Sequence, residues 1–422
     1  MAIKAGELVH VGNQVVLDRI QSGGAGLNIP IEKIYELGNY QTVGQVRDIP
    51  DLTFNLESID ASAELEALLV GSDYDIDSAG TEYVISNWLP IDVAGQFKRG
   101  RRAAAGGGEE FEVVGGAAAP FLALESLSYR FGLRDNAGQT ATLRGDGLFY
   151  GAGGVVIQEV AGSGVAGQTI VLSHDGGTTD DDSVKEYNGD SVNGTRYALS
   201  VSLVNAAERL SVGNDYAETA DTPLAGNVTI TVTDAVDVTE TIRIVYLTGN
   251  ATPLTYAQAV HAAASATRPA AVKGKDIEVR IGGTAVTDRW SSIQSVNLDY
   301  RVNLERDEEM GSAQVVDQDY DVPEVSGTIQ IKPRNFEEFL TRLYQISNVA
   351  DGEVIGAQTS QPLSMDVIIH SPEDGSVLKT LHTPDARFQL PGYTGRVQQK
   401  QTFDLPFDSD SGQLSVFKGA RP

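Results

Sequence analysis

The chain has 422 residues, of which 41% are hydrophobic, and it contains no cysteine. Disulfides, thiolate zinc sites and cysteine nucleophiles are therefore excluded, and the length predicts two or three domains that fold without covalent cross-links. The 58 acidic residues outnumber the 31 basic ones and give a net charge of -27, so a nucleic acid that contacts this protein has to slide past it rather than bind.

The same composition gives two interpretations of the protein's surroundings. Scarce lysine with abundant Asp and Glu is typical of proteins in a very salty cytoplasm, where dissolved ions screen the self-repulsion. The other interpretation is an ordinary acidic protein from a mesophilic or high-GC source. We take the halophilic host as a hypothesis, and dilution into low salt tests it because a halophilic protein unfolds there.

The sequence predicts no attachment to a membrane. No apolar stretch reaches the length that crosses a bilayer. The N-terminal residues MAIKAGELVHVGNQVVL have neither the charged start nor the apolar core of a signal peptide. We therefore expect a soluble protein that is not secreted by the usual signal.

The first element with a distinctive pattern is repeated later in the chain. Residues 36–50 read ELGNYQTVGQVRDIP, and residues 309–323, which lie 273 positions further on, read EMGSAQVVDQDYDVP. An Asp-Arg dipeptide precedes each copy, and alternating residues and one amphipathic helix follow it. This shared order predicts two homologous modules. The identical pairs of the duplicated motif are Glu36/Glu309, Gly38/Gly311, Gln41/Gln314, Val43/Val316, Gln45/Gln318, Asp48/Asp321 and Pro50/Pro323.

A helix is predicted after each copy of the motif. In the first copy Ser62 is the expected N-cap, Gly71 the expected end, and the apolar stripe consists of Leu65, Leu68 and Leu69. In the second copy Asn335 and Glu338 fit a capping box. There the stripe consists of Phe336, Phe339, Leu340, Leu343 and Tyr344. These stripes are expected to pack on a sheet.

An arm and hairpins follow the helices. Alternating strands around tight turns are predicted in 126–150 and 363–390, and we align Asp146-x-x-Phe149 near the end of the first segment with Asp385-x-x-Phe388 near the end of the second. The first copy also has an arm at 88–120 that is rich in Ala and Gly, so we expect it to be mobile until a partner orders it. The arm carries the basic residues Lys98, Arg99, Arg101 and Arg102. They are expected either to dock on an acidic face of a neighbouring subunit or to form a solubilising loop.

The remaining boundaries complete the predicted organisation. Module 1 covers 1–153 with its closing strand near 238–248, an inserted outer domain covers 154–237, a linker covers 249–274, and module 2 covers 275–422. The insertion has short strands rich in Val, Ile and Thr, which predict a small β-sandwich or an extended hairpin. The predicted class is therefore mainly β (α+β), with two β modules, each with one flanking helix, and an inserted β-rich domain.

Few motifs indicate chemistry. The segment 162–167 fits GxGxxG, but a strand-like run follows it, so we interpret it as a loop and not a nucleotide site. Three aspartates could hold a cation or could simply be solvated: Asp180, Asp181 and Asp182. Three glycosylation sequons indicate an exposed region, whether used or not: Asn193, Asn227 and Asn250. No catalytic pattern is present, so we expect a protein that is not an enzyme and that needs no cofactor.

Residues 34–57, together with the arm sequence LPIDVAGQFKRGR, resemble the tail tube proteins of tailed bacterial and archaeal viruses. The resemblance implies β-sandwich or β-barrel modules with a flanking helix, six of which close into a ring, and stacked rings that form a tube for viral DNA. With two modules per chain, a homotrimer would build a pseudo-hexameric ring, and the arm would reach the adjoining ring.

The resemblance also implies a location and partners. The protein would lie in the virion tail, after assembly in the host cytoplasm. It would contact other copies of itself, the tape measure, tail terminator and baseplate proteins, and passing DNA, but no membrane. The alternative from another class is a β-sandwich surface adhesin or capsid-decorating protein.

Overall fold

The computed structural model describes most of the chain, and what it describes is mainly β. Its strands form large antiparallel sheets, and the described residues contain one short α-helix with both ends defined. The described residues are 4–11, 20–35, 42–47, 49–59, 62–72, 77–85, 88–102, 109–151, 154–172, 184, 196–220, 228–248, 271–286, 291–307, 315, 317–333, 341, 343–344, 361–389 and 402–422.

The first half of the chain contributes ten strands and the helix. They are β1 (Lys4–Val11), β2 (Ile20–Asn28), β3 (Ile31–Tyr35), β4 (Thr42–Arg47), β5 (Asp51–Ser58), α1 (Glu64–Leu69), β6 (Glu82–Val84), β7 (Ile91–Arg102), β8 (Glu109–Gly132), β9 (Gly138–Gly145) and β10 (Phe149–Gly151). Successive side chains of a strand point to opposite faces. In β5 this alternation buries Leu52, Phe54 and Leu56 in the core and leaves Asn55 and Glu57 exposed.

The insertion forms a β-sandwich, one of the two forms predicted for it. Its strands are β11 (Gly154–Ala161), β12 (Gln168–Leu172), β13 (Ala198–Leu203), β14 (Glu208–Arg209), β15 (Tyr216–Ala220), β16 (Val228–Val232) and β17 (Thr241–Thr248). One sheet has the order β11-β17-β13-β14 and the other β12-β16-β15. Apolar side chains from both sheets, such as Ile170, Ile230 and Ile244, form the core between them.

The strand predicted to close module 1, near 238–248, belongs to this sandwich instead. β17 pairs with β11 along one edge and with β13 along the other, so both of its neighbours come from the insertion. Its consecutive residues Ile242 to Tyr246 are all buried. Such a central strand needs a partner on each side, and the sandwich supplies both.

The second half contributes another ten strands. They are β18 (Ile277–Ile281), β19 (Thr284–Ala285), β20 (Ser291–Arg301), β21 (Leu304–Asp307), β22 (Asp317–Tyr320), β23 (Glu324–Pro333), β24 (Leu363–His370), β25 (Val377–Phe388), β26 (Phe403–Ser409) and β27 (Ser415–Lys418), after a 3-10 turn at Gly274–Asp276. Of the helix predicted in this half, Thr341, Leu343 and Tyr344 are helical and Leu343 is buried. Its predicted cap lies outside the described residues.

The two halves share one antiparallel sheet of 16 strands. Its main path runs β19-β18-β24-β25-β26-β23-β20-β8-β9-β5-β2, so the halves meet where β20 of the second pairs with β8 of the first. Buried side chains from both halves form a single hydrophobic core beneath it. The halves are therefore joined edge to edge through backbone hydrogen bonds.

The start of α1 differs from the prediction. Ala63, not Ser62, occupies the N-cap position, and no side chain caps the helix there. The Ser62 carbonyl oxygen instead accepts a hydrogen bond of 3.1 Å from the Lys379 ammonium of β25. Contact with the second half therefore fixes this turn more than local capping does.

The end of α1 agrees with the prediction. Gly71 has a φ of 73°, its N–H donates to the Leu68 carbonyl, and the next N–H, of Ser72, donates to the Ala67 carbonyl. This is a Schellman ending, which favours glycine. A Cβ at Gly71 would also lie 2.6 Å from the Leu89 side chain.

Candidate assembly interface

The duplicated motif lies in two pieces of sheet whose pairing is the same residue for residue. β2 pairs with β5 as β20 pairs with β23, and β3 pairs with β4 as β21 pairs with β22, always 273 positions apart. Even the β-bulge recurs, between Ile20 and Ser22 and between Ile293 and Ser295. Matched pairs include Leu27↔Leu52 with Tyr300↔Val325, and Ile31↔Arg47 with Leu304↔Tyr320.

The described part of the motif supplies the second strand of a short hairpin and the turn into the next strand. Val43 and Gln45 lie in β4, and Gln318 lies in β22, where it is buried. Asp321 and Pro323 lie between β22 and β23, where the Asp321 side chain accepts a hydrogen bond from the Val322 N–H. Pro50 lies just before β5. The other motif residues lie outside the described residues: Glu36, Gly38, Gln41, Asp48, Glu309, Gly311, Gln314 and Val316.

From β8 and β25 onward the equivalence continues at a different spacing. Thr53 of β5 pairs with Arg144 as Ser326 of β23 pairs with Asp408, so β9 corresponds to β26 at a spacing of 264. β8 corresponds to β25 at the same spacing, because Leu124↔Leu143 matches Phe388↔Phe407. The alignment of Asp146-x-x-Phe149 with Asp385-x-x-Phe388 is therefore wrong, since Phe388 is equivalent to Leu124.

The arm is a hairpin that both halves possess. β7 pairs with β8 from Ile91↔Leu122 to Arg102↔Glu109, and the pair Val93↔Ala119 matches Met365↔Thr383 of β24 and β25. The expectation of an arm without order of its own is thus wrong for the paired residues. Their backbone groups are satisfied by each other, and this ladder does not depend on apolar side chains.

The basic run of the arm faces an acidic run in the same hairpin. The register places Arg99 opposite Glu112, Arg101 opposite Glu110 and Arg102 opposite Glu109, with Lys98 opposite Val113. Opposite charges at facing positions of an antiparallel pair attract. The acidic run was missed from the sequence, although EEFEV at 109–113 mirrors KRGRR at 98–102 across the intervening residues.

The junction between the halves also has side-chain contacts. The Trp88 indole N–H donates to the Tyr300 hydroxyl at 2.9 Å, and the two rings meet edge to face with centroids 5.5 Å apart. Burial of the phenol raises the pKa of Tyr300 to about 12. The Val302 N–H donates to the Glu125 carbonyl at 2.9 Å. Nearby, β27 pairs with β6, so the first half covers the second at two strand edges.

A buried ion pair lies in this junction. The Lys379 ammonium of β25 contacts the Glu66 carboxylate of α1, and both side chains are buried. The ammonium also donates to the Gln139 side-chain oxygen at 3.1 Å and lies 4.9 Å from the centre of the Tyr129 ring. The Tyr129 hydroxyl donates to Glu66 at 2.5 Å. Burial, and then the adjacent negative charge, raise the pKa of Tyr129.

Two buried carboxylates tie the insertion to the first half. Arg209 of β14 contacts both oxygens of Asp146 at 2.7 and 2.8 Å, and the Val315 N–H of the second half donates to Asp146 at 2.8 Å. Arg243 of β17 contacts Asp92 of β7 at 3.3 Å. Asp146 therefore binds the insertion and the second half at once.

The other sites predicted from the sequence add no functional contact to those above. The segment 162–167 is a loop between β11 and β12, so a strand and not a helix follows it, as the loop interpretation requires. Asn193, Asn227, Asn250, Asp180, Asp181 and Asp182 all lie outside the described residues. Within the described ranges no three His, Asp or Glu side chains are grouped to hold a metal ion. No helix of that part of the chain is long and apolar enough to cross a membrane.

Comparisons with known proteins add no identity. No protein-family model matches the chain, and no curated protein sequence matches it. The residue-by-residue repeat and the junction between its copies are therefore the features from which function has to be argued.

Proposed function

We propose that this protein is a structural virion protein that polymerises as stacked rings into the hollow tail tube of a tailed virus. One observation carries the proposal: two units with the same strand register stand side by side in a single sheet. A chain that already joins one unit to its copy has the geometry needed to join further copies.

Ring closure follows from the number of units per chain. Three chains would contribute six units, giving a homotrimer with pseudo-sixfold symmetry. Closure would remove the open strand edges on which sheets otherwise aggregate. On this proposal each half is a tail-tube-type sandwich or barrel module with a flanking helix, namely α1 in the first half and the helix that includes Leu343 in the second.

Charge supports a conduit for DNA. The chain carries a net charge of -27, so phosphates passing through a tube of this protein would be repelled from its wall rather than held. The protein would act in the virion tail after assembly in the host cytoplasm. Its further partners would be the tape measure, tail terminator and baseplate proteins.

The arm and the insertion have separate roles in this proposal. The insertion would decorate the outside of the tube. The β7–β8 hairpin would reach the next ring, with Lys98, Arg99, Arg101 and Arg102 meeting an acidic face. Because the register pairs much of this run with glutamates of the same hairpin, the net basic charge available for that contact is small.

Negative-stain imaging of the purified protein, with its mass in solution, tests the proposal. We expect hollow rings or tubes with threefold-related subunits, measured in high and low salt over a range of concentrations. Monomers under every condition, with no rings at the highest concentration, would contradict it and support the adhesin or capsid-decorating alternative.

A further inference from the structure

One face of the first half is apolar and exposed where the equivalent face of the second half is buried. Leu27, Ile29 and Ile31 are 39%, 44% and 51% exposed. The residues 273 positions later are Tyr300, Val302 and Leu304. Tyr300 and Val302 are 1% and 5% exposed, and Leu304 packs against the core.

A second strand edge differs between the two halves in the same way, since it is exposed in the first half and buried in the second. β10 pairs with β8 as β27 pairs with β25, so Tyr150 is equivalent to Val416. Tyr150 is 66% exposed, whereas Val416 is fully buried beside Tyr83 of β6. In the second half both faces are covered by the first half of the same chain. In the first half no described strand covers either.

The edge of β2 is suited to pairing with another strand. β20 pairs with β23 on one side and with β8 on the other, while of the described strands only β5 pairs with β2. Residues 20–31 contain no charged side chain, although charge is the usual device that protects an exposed edge from association. An open, uncharged edge beside exposed apolar side chains is typical of an interface.

We propose that this face binds the second half of another copy of the same chain. It rests on the proposed function, because it names the contact that would close the ring. The acceptor face is defined as Leu27, Ile29, Ile31, Tyr150 and the outer edge of β2. The second half of the other chain would cover this face in the way that, within one chain, the first half covers β20 and β27. The contact is thus heterologous and can form rings or filaments.

The contact between copies differs chemically from the junction inside the chain. Lys379, which anchors the internal junction, is equivalent to Gly115 in the first half at the spacing of 264. The acceptor face therefore offers no cation at that point. The second half is the part that would cover the acceptor face of another chain. Its positions equivalent to Trp88, β6 and residues 126–132 lie outside the described residues. A chain can consequently keep its internal junction while the contact between copies dissociates.

The direct test replaces apolar residues of the acceptor face by a charge. The double variant Leu27→Asp with Ile31→Asp is compared with Val165→Asp with Val238→Asp, whose valines are each 65% exposed on the insertion. Mass photometry and sedimentation over a concentration series measure the oligomer, and circular dichroism checks the fold. We expect the control pair to assemble as the unchanged protein does, and the acceptor-face pair to need at least about a hundredfold higher concentration.

A mixing experiment tests the direction of the contact. The acceptor-face variant still presents its second half, so it should join unchanged chains and then stop growth. Small amounts of it should shorten or open the assemblies, whereas a symmetric face-to-face contact predicts that it stays inert. An inert variant would overturn the heterologous arrangement.

The outcomes separate the two proposals. If the unchanged protein forms rings and the acceptor-face variant forms them at the same concentration, this inference is wrong and the tube function stands. If the unchanged protein never associates, the tube function fails and the acceptor face fails with it. Rings that are lost only in the acceptor-face variant, together with dominant capping in mixtures, support both.

Discussion

β2 and β20 have the same pairing register and the same bulge, yet among the described strands β2 ends the main path of the sheet and β20 lies in its interior. The backbone of a repeat is thus set by its own pattern, whereas the burial of that repeat is set by its neighbour. Leu27 is exposed and Tyr300 buried for no reason internal to either strand. An apolar residue that is exposed in one half of the chain can therefore be explained from the elements that cover the equivalent residue in the other half.

The largest expected effect comes from breaking the covered junction. Lys379→Met leaves the Glu66 carboxylate buried without its cation, and loss of one member of a buried pair costs about 3–5 kcal/mol. We expect the free energy of unfolding, measured with denaturant, to fall by this amount. The uncovered β2 edge has no such pair to lose.

A double variant shows whether charge or packing holds this junction. Glu66→Leu with Lys379→Met replaces the pair by apolar groups, and such exchanges are often neutral. We expect it to recover most of the stability that Lys379→Met loses. A double variant as unstable as the single one would show that the hydrogen bonds to Tyr129 and Gln139 matter more than the ion pair.

A smaller effect is expected at Tyr300. Tyr300→Phe leaves the Trp88 N–H unpaired in a buried site, which costs about 1–3 kcal/mol, while Leu27→Phe at the equivalent exposed position should cost almost nothing. If both changes lower the free energy of unfolding equally, the burial of Tyr300 and the exposure of Leu27 do not differ in their effect on stability.

Alkaline pH sharpens the same comparison. The pKa of Tyr300 is raised from 10.0 to about 12, so the folded state holds this proton more tightly than the unfolded state. The stabilisation is fully present below pH 10 and is lost as pH rises through about 12. The stability difference between the unchanged protein and Tyr300→Phe should therefore shrink over that range, as denaturant titrations at each pH would measure.

The smallest effect is expected in the arm, which differs from its counterpart hairpin in length. Glu110→Lys places like charges at the facing position of Arg101, and such pairs change stability by about 0.2–1 kcal/mol. We expect faster amide hydrogen exchange in β7 and β8. The swapped pair Arg101→Glu with Glu110→Lys should restore it. Unchanged exchange in both variants would contradict the cross-strand role.

Sequence reasoning found the repeat because local pattern carries it. The duplicated motif, the hairpins around 126–150 and 363–390, the ending of α1 at Gly71 and the loop at 162–167 all depend on neighbouring residues. The predicted apolar stripe of α1, Leu65, Leu68 and Leu69, is indeed buried.

The rest depends on contacts that sequence spacing conceals. The repeat keeps a spacing close to 273 as far as β7 and β24 and has one of 264 from β8 and β25 onward, whereas the wrong alignment of Phe149 with Phe388 rested on a short shared pattern at a spacing of 239. β17 could be assigned only by its partners on both sides. Glu66 and Lys379 are 313 positions apart, and nothing local marks either as half of a buried pair.

Asp146 makes the insertion hard to remove. Its carboxylate is buried and accepts hydrogen bonds from Arg209 of the insertion and from the Val315 N–H. Excising the insertion would remove the arginine and leave the buried carboxylate without its cation, so we expect a deletion to be better tolerated once Asp146 is also replaced. The insertion and the residue that accommodates it are in this way coupled, since a change in either one alone leaves a buried charge unpaired.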